Sequence, residues 1–164
     1  MAKITPFLWF NNQAEEAAQY YTSIFPNSKI RNVTRYGKEG FEIHKMPEGT
    51  VMTIEFDLDR QAFTALNGGP MFQFTEAVSF QVFCETQEEN DYYWTRLTSG
   101  GDEQAQQCGW LKDKFGVSWQ VLPKDLGRYL DGPDKEKSQR AMKAMLQMKQ
   151  IDLNGIKKAY DEGG

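Results

Sequence analysis

The stretch Gln107-Cys108-Gly109-Trp110-Leu111-Lys112-Asp113-Lys114-Phe115-Gly116-Val117-Ser118-Trp119-Gln120-Val121 reads as a β-hairpin. Its turn, Asp113-Lys114-Phe115-Gly116, suits a three-residue loop in which Gly116 supplies the positive φ of a bulge and Asp113 pairs with Val117. That register sets Trp110 opposite Gln120. Side chains alternate along a strand, so Cys108, Trp110 and Lys112 are expected to share a face with Ser118 and Gln120. A face turned wholly toward a core would not carry a lysine and a glutamine, and this side of the hairpin is therefore read as the lining of a site. The bland alternative is a solvent-facing side with two incidental polar residues.

Working outward, Ile4 to Phe10 reads as a strand, and Ala14 to Phe25 as an amphipathic helix stopped by Pro26-Asn27. Three strand candidates follow, Lys29 to Tyr36, Thr50 to Leu58 and Ala62 to Asn67, with Gly37 to Gly49 as a polar connection. The order then restarts. Val78 to Cys84 is strand-like, Gln87 to Leu97 is a helix ended by Gly100-Gly101, and the hairpin supplies strands at Cys108 to Asp113 and Val117 to Leu122, with Glu103 to Gln107 as a short strand before them. At an offset of 73 residues Glu15 and Glu16 match Glu88 and Glu89, Tyr20 and Tyr21 match Tyr93 and Trp94, and Ile24 matches Leu97, which suggests an internal duplication.

The expected fold is α+β: two βαβββ modules, residues 1–73 and 74–123, forming a curved, mostly antiparallel sheet cup. A helical tail, 124–164, completes a single domain. The tail opens at Asp131-Gly132-Pro133-Asp134 and carries Ala141, Met142, Met145, Leu146 and Met148 at helical spacing, with Asp152 as the N-cap of a last short helix ending near Tyr160. The methionine stripe reads as packing, against its own sheet or a second subunit.

Composition narrows the partners. Of 164 residues, 40% are hydrophobic and 13% aromatic, enough for a packed core rather than disorder. A net charge of −4 disfavours a nucleic-acid backbone as partner, because counterion release needs clustered Lys and Arg. The start Met1-Ala2-Lys3-Ile4-Thr5-Pro6 lacks the apolar region of a signal peptide and no run is long enough to span a membrane, so a cytoplasmic location is expected. Cys84 and Cys108 lack metal or disulfide spacing and are read as reduced thiols, Cys84 in the core and Cys108 facing the site as a candidate nucleophile.

The segments LWFNNQAEEAAQYYTSIFPNSKI (8–30), FTALNGGPMFQF (63–74), QCGWLKDKFGVSWQVLP (107–123) and RAMKAMLQMKQIDL (140–153) resemble the vicinal oxygen chelate superfamily of glyoxalases, dioxygenases and fosfomycin and bleomycin resistance proteins. Within it the chain is similar to the PhnB-like branch often labelled 3-demethylubiquinone 3-methyltransferase. Enzymes of the superfamily hold a divalent metal through His and Glu from the first and last strands of each module. In this sequence Thr5 stands near the first expected ligand, Ala62 to Asn67 contains no acid or histidine, Ser79 stands near the third, and Gln120 replaces the usual Glu. Hydroxyls and a neutral amide are poor metal donors, so no metal and no cofactor are expected. The methyltransferase label is not supported either, since Gly68-Gly69-Pro70 and Ser99-Gly100-Gly101 lie outside the strand–helix context of a nucleotide-binding loop.

The reading that results is a homodimeric, metal-free binder of a partly aromatic small molecule, in a cup lined by Thr5, Trp9, Ser79, Gln81, Cys108, Trp110, Lys112 and Gln120. One alternative is an enzyme, using either a metal on Glu55 or Asp57, acids otherwise read as a solvated strand face, or Cys108 as nucleophile. Another is an interaction module whose cup is closed by its own Thr5, Phe7 and Trp9. The single histidine, His44, is read as a surface residue.

Overall fold

A computed structural model describes residues 3–162, which divide into two compact units, one ending at Phe74 and the other beginning at Thr75. The first contains β1 (Phe7–Phe10), α1 (Ala14–Ile24), β2 (Lys29–Arg35), α2 (Phe41–His44), β3 (Val51–Leu58) and β4 (Gln61–Asn67). Its sheet has the order β1-β4-β3-β2, with β1 parallel to β4 and the other pairs antiparallel. The helix forms where Ala14, Ala17, Ala18, Tyr21 and Ile24 make one apolar stripe, and that stripe is buried against Ile54, Phe56, Leu58, Phe63 and Ala65, the alternating residues of β3 and β4. Phe56 stacks on Phe63 at 5.5 Å between centroids. Gln13 makes no side-chain cap; instead Asn67, at the end of β4, accepts the amide of Ala14 at 2.8 Å. The polar connection between β2 and β3 contains the single-turn helix α2.

The second unit contains β5 (Ser79–Cys84), α3 (Gln87–Thr98), a 3-10 turn (Glu103–Ala105), β6 (Trp110–Lys112), β7 (Ser118–Pro123), α4 (Leu126–Leu130), α5 (Lys135–Met145) and α6 (Leu153–Glu162). Thr86 caps α3 by accepting the Glu89 amide at 3.1 Å. The sheet order is β5-β7-β6, with β5 parallel to β7 and β6 antiparallel to it. Both sheets are thus mixed, and the protein is α+β as expected. The strand anticipated at Glu103 to Gln107 does not form. Asp102 accepts the Gln104 amide at 2.9 Å and winds the chain into the 3-10 turn, leaving only Gln107 to bridge Trp110.

The tail packs within its own unit. Leu126, Ala141, Ile151 and Ile156 are buried together, with Met145 and Met148 against them, while Leu146 stays 51% exposed. Gln87 at the start of α3 clasps this segment, donating to the Ile151 carbonyl and accepting from the Leu153 amide, both at 3.0 Å.

Candidate functional site

The hairpin turn is built around one carboxylate. Asp113, 2% exposed, accepts the amides of Phe115 and Val117 on Oδ1 at 2.9 and 3.0 Å and the Trp119 indole N–H on Oδ2 at 2.8 Å. Its own amide donates to the Val117 carbonyl at 2.8 Å, and Gly116 takes φ +93°. This is the turn the sequence predicts, and it fixes the predicted register, Trp110 opposite Gln120 and Lys112 opposite Ser118.

Because β5 also pairs with β7, the face of this sheet away from Trp119 and Val121 is laid out in rows. Ser79, Ser118 and Lys112 stand side by side, then Gln81, Gln120 and Trp110, then Phe83 and Leu122. Gln120 donates through Nε2 to Ser79 Oγ at 2.9 Å, and Gln81 Nε2 donates to Gln120 Oε1 at 3.4 Å. Lys112 pairs with Glu76, and this hydrogen-bonded ammonium holds the Glu76 carboxyl below the usual glutamate range. Ser118 is 2% exposed, and its Oγ has no hydrogen-bond partner. Trp110 keeps 36% of its surface exposed. Of the expected lining residues, Ser79, Gln81, Trp110, Lys112 and Gln120 therefore meet on one face.

Cys108 does not join them. Cys108 and Gly109 have φ of +53° and +86° and form a two-residue turn between Gln107 and Trp110, so the strand begins only at Trp110 and alternation does not extend back to the cysteine. The thiol instead donates to the Met145 carbonyl at 3.5 Å. Thr5 and Trp9 belong to the first unit. Thr5 is exposed ahead of β1, while Trp9 is held by its own chain: its indole N–H donates to the Gly69 carbonyl at 2.9 Å and Phe72 meets the ring edge-on at 4.9 Å. The ring lies so close over Gly68 that a Cβ there would come within 2.4 Å of it.

The remaining titratable candidates are also engaged. His44 accepts the Met46 amide on Nδ1 at 2.9 Å, which leaves the proton on Nε2 to donate to the Glu39 carbonyl at 3.0 Å. Arg31 lies between Asp57 and Glu55 at 3.0 and 4.0 Å and supplies the positive charge a metal would bring to them. Among the described residues no group of three or more His, Cys, Asp or Glu could hold a metal ion. At the positions where the fold implies ligands, the donors are hydroxyls and amides, with Gln120 and Ser79 bonded to each other. These residues do not fit a divalent metal.

A cleft of about 520 Å³ in the tail is lined by Arg128, Tyr129, Pro133, Lys157, Tyr160 and Asp161. None of its lining residues holds a buried polar atom without a partner, so the rows of the second sheet remain the candidate. Two of their contributors were not legible in advance. Glu76 stands in an aperiodic link before β5, and nothing in its sequence context points to Lys112. Asp113 was legible as a turn residue but not as the partner of Trp119.

Two small α+β units, each with a helix on one side of its sheet, define a protein of the glyoxalase-like, vicinal oxygen chelate class. The chain belongs to the 3-demethylubiquinone-9 3-methyltransferase family, the PhnB-like branch of that class, whose pattern matches residues 2–122. It is similar to the PhnB protein from Bacillus cereus, at 39% identity over 74% of this chain and 99% of that one, with a TM-score of 0.62. Protein PA1353 from Pseudomonas aeruginosa shares the fold, at 19% identity over 75% of this chain and 98% of that one, with a TM-score of 0.58. No curated protein matches the chain. Helices α4 to α6 lie beyond the residues matched by the family.

Proposed function

We propose that this protein binds a small organic molecule at the polar rows of β5, β7 and β6, without the metal its class commonly uses. The observation that carries this reading is Ser118. A buried hydroxyl without a partner costs about 1–3 kcal/mol, and a ligand atom beside it would recover that loss. The neighbouring groups suit such a ligand: Trp110 offers a stacking face, while Gln81 and Gln120 offer neutral donors and acceptors that fix orientation. Three strands span about 10 Å, room for one ring and its substituents.

The other readings find less support. The Cys108 thiol is turned toward Met145, away from the rows, and Arg31 occupies the acids of β3. Methyl transfer is not part of this proposal, since two small mixed sheets offer no doubly wound parallel sheet for a nucleotide-like methyl donor. One observation favours a self-filled module in the first unit, the cover of Phe72 over Trp9.

A homodimer in the cytoplasm is the assembly and location we propose. Among the described residues no helix is long and apolar enough to cross a membrane. Apolar side chains left exposed in each unit, Phe7 and Met71 in the first and Val78 and Phe83 in the second, support self-association.

Binding is tested by titrating ring-bearing small molecules against the protein by ligand-observed NMR, with Trp110→Ala and Ser118→Ala as controls. A ligand of this face should lose about tenfold in affinity on Trp110→Ala, equivalent to about 1.4 kcal/mol of stacking. Ligands that bind both variants as tightly as the parent would move the site elsewhere.

A further inference from the structure

We propose that Lys112 is the anion-binding group of this face and that Glu76, now paired with it, holds the place taken by the carboxylate of an aromatic carboxylate ligand. This rests on the reading of the face as a small-molecule site. Lys112 is the one cation in the three rows, and it stands at their polar end, the direct register partner on β6 of Ser118 on β7, whose hydroxyl is unpartnered. A carboxylate arriving there would meet an ammonium and a hydroxyl donor together.

Glu76 is suited to yield. It sits between Phe74 and β5 outside any helix or strand, and its side chain is 62% exposed against 28% for Lys112. An ion pair so exposed adds little stability in water, so its displacement is cheap. The ligand class follows from the next row. Gln81, Gln120 and Trp110 carry no charge, and Trp110 keeps 36% of its surface exposed. A planar uncharged body beside a single negative group fits both rows, whereas a doubly charged phosphate would find only one cation.

The probes are 2-naphthoate and its neutral counterpart 2-naphthamide, titrated against the full chain by ligand-observed NMR. The parent should bind the carboxylate more tightly than the amide. Glu76→Gln removes the internal competitor and should tighten 2-naphthoate by up to about fivefold while leaving 2-naphthamide unchanged. Lys112→Met should erase the difference between the probes. Circular dichroism and thermal melting establish that each variant is folded. Equal binding of the two probes by the parent, or a Glu76→Gln variant with no gain for the carboxylate, overturns the anion assignment and leaves the face as a site. Failure of both probes to bind parent and Glu76→Gln overturns the reading of the face itself, and the anion assignment with it.

Discussion

Asp113 shows how much one residue can settle. Its carboxylate closes the hairpin turn and holds the Trp119 indole from inside, so Asp113→Ala would leave a buried N–H and two amides without their acceptor. The expected loss is about 3 kcal/mol or more in urea unfolding, against about 1 kcal/mol if the turn were merely a surface loop. Cys84 gives a second test. Burial, with Glu89 nearby, pushes its thiol up to about 12 from an ordinary 9.0. The unfolded chain therefore loses this proton first as pH rises, and folding stability should fall by about 1.4 kcal/mol per pH unit above 9.0 until about 12 is reached. Comparing the pH dependence of unfolding in the parent and in Cys84→Ala isolates this contribution; parallel curves would contradict it. At this scale the sequence was readable where a side chain serves its own strand or turn, as with Gly116 and Trp110. It was not readable for Cys108, because a positive φ at a non-glycine residue has no sequence signature strong enough to override a strand-like neighbourhood.

The elements that sequence periodicity identified best are the ones buried on a single face. The α1 stripe and the alternation of β3 follow directly from apolar spacing, and the helix α3 from its Thr86 cap. Short elements stabilised from outside were less legible. The strand β6 is only three residues long because the turn before it is tied down by the tail: Cys108 and Gly109 donate their amides to the Met148 and Lys149 carbonyls at 2.9 and 2.8 Å, and Gln107 Nε2 donates to the Leu146 carbonyl at 2.9 Å. The tail thus acts as a clamp on the turn that delivers Trp110, a role not visible in its methionine spacing. Gly109 is the tightest point of this clamp. A Cβ there would lie 3.0 Å from Ile151, Leu122 and the Val121 carbonyl, at a φ of +86°. Gly109→Ala should destabilise the protein by about 2 kcal/mol or more and weaken any ligand that stacks on Trp110. An alanine variant as stable as the parent would show that the clamp is loose.

For the whole molecule, the sequence disclosed the α+β class and the repeated strand–helix order, since both are written in local patterns. It did not disclose that the second sheet has three strands, and it left open whether the tail's apolar stripe packs on its own sheet or on a second subunit. A dimer held by the tail would need that stripe exposed. With Met145 and Met148 packed on Leu126, Ala141, Ile151 and Ile156, it has little apolar surface left for that purpose. The proposed dimer must then use the sheet and linker residues left exposed, and replacing Met71 and Phe83 by Glu should separate it. Sedimentation of the parent at micromolar concentration as a single 18.9 kDa species would reject the dimer outright.

The central claim, a small-molecule site that works through hydroxyl, amide, ammonium and indole groups instead of a metal, is tested most directly by native mass spectrometry of the full chain purified without chelators. The account predicts a fraction carrying an organic adduct that Trp110→Ala diminishes, and no stoichiometric metal. One equivalent of zinc, nickel, manganese or iron retained by the folded protein would contradict it.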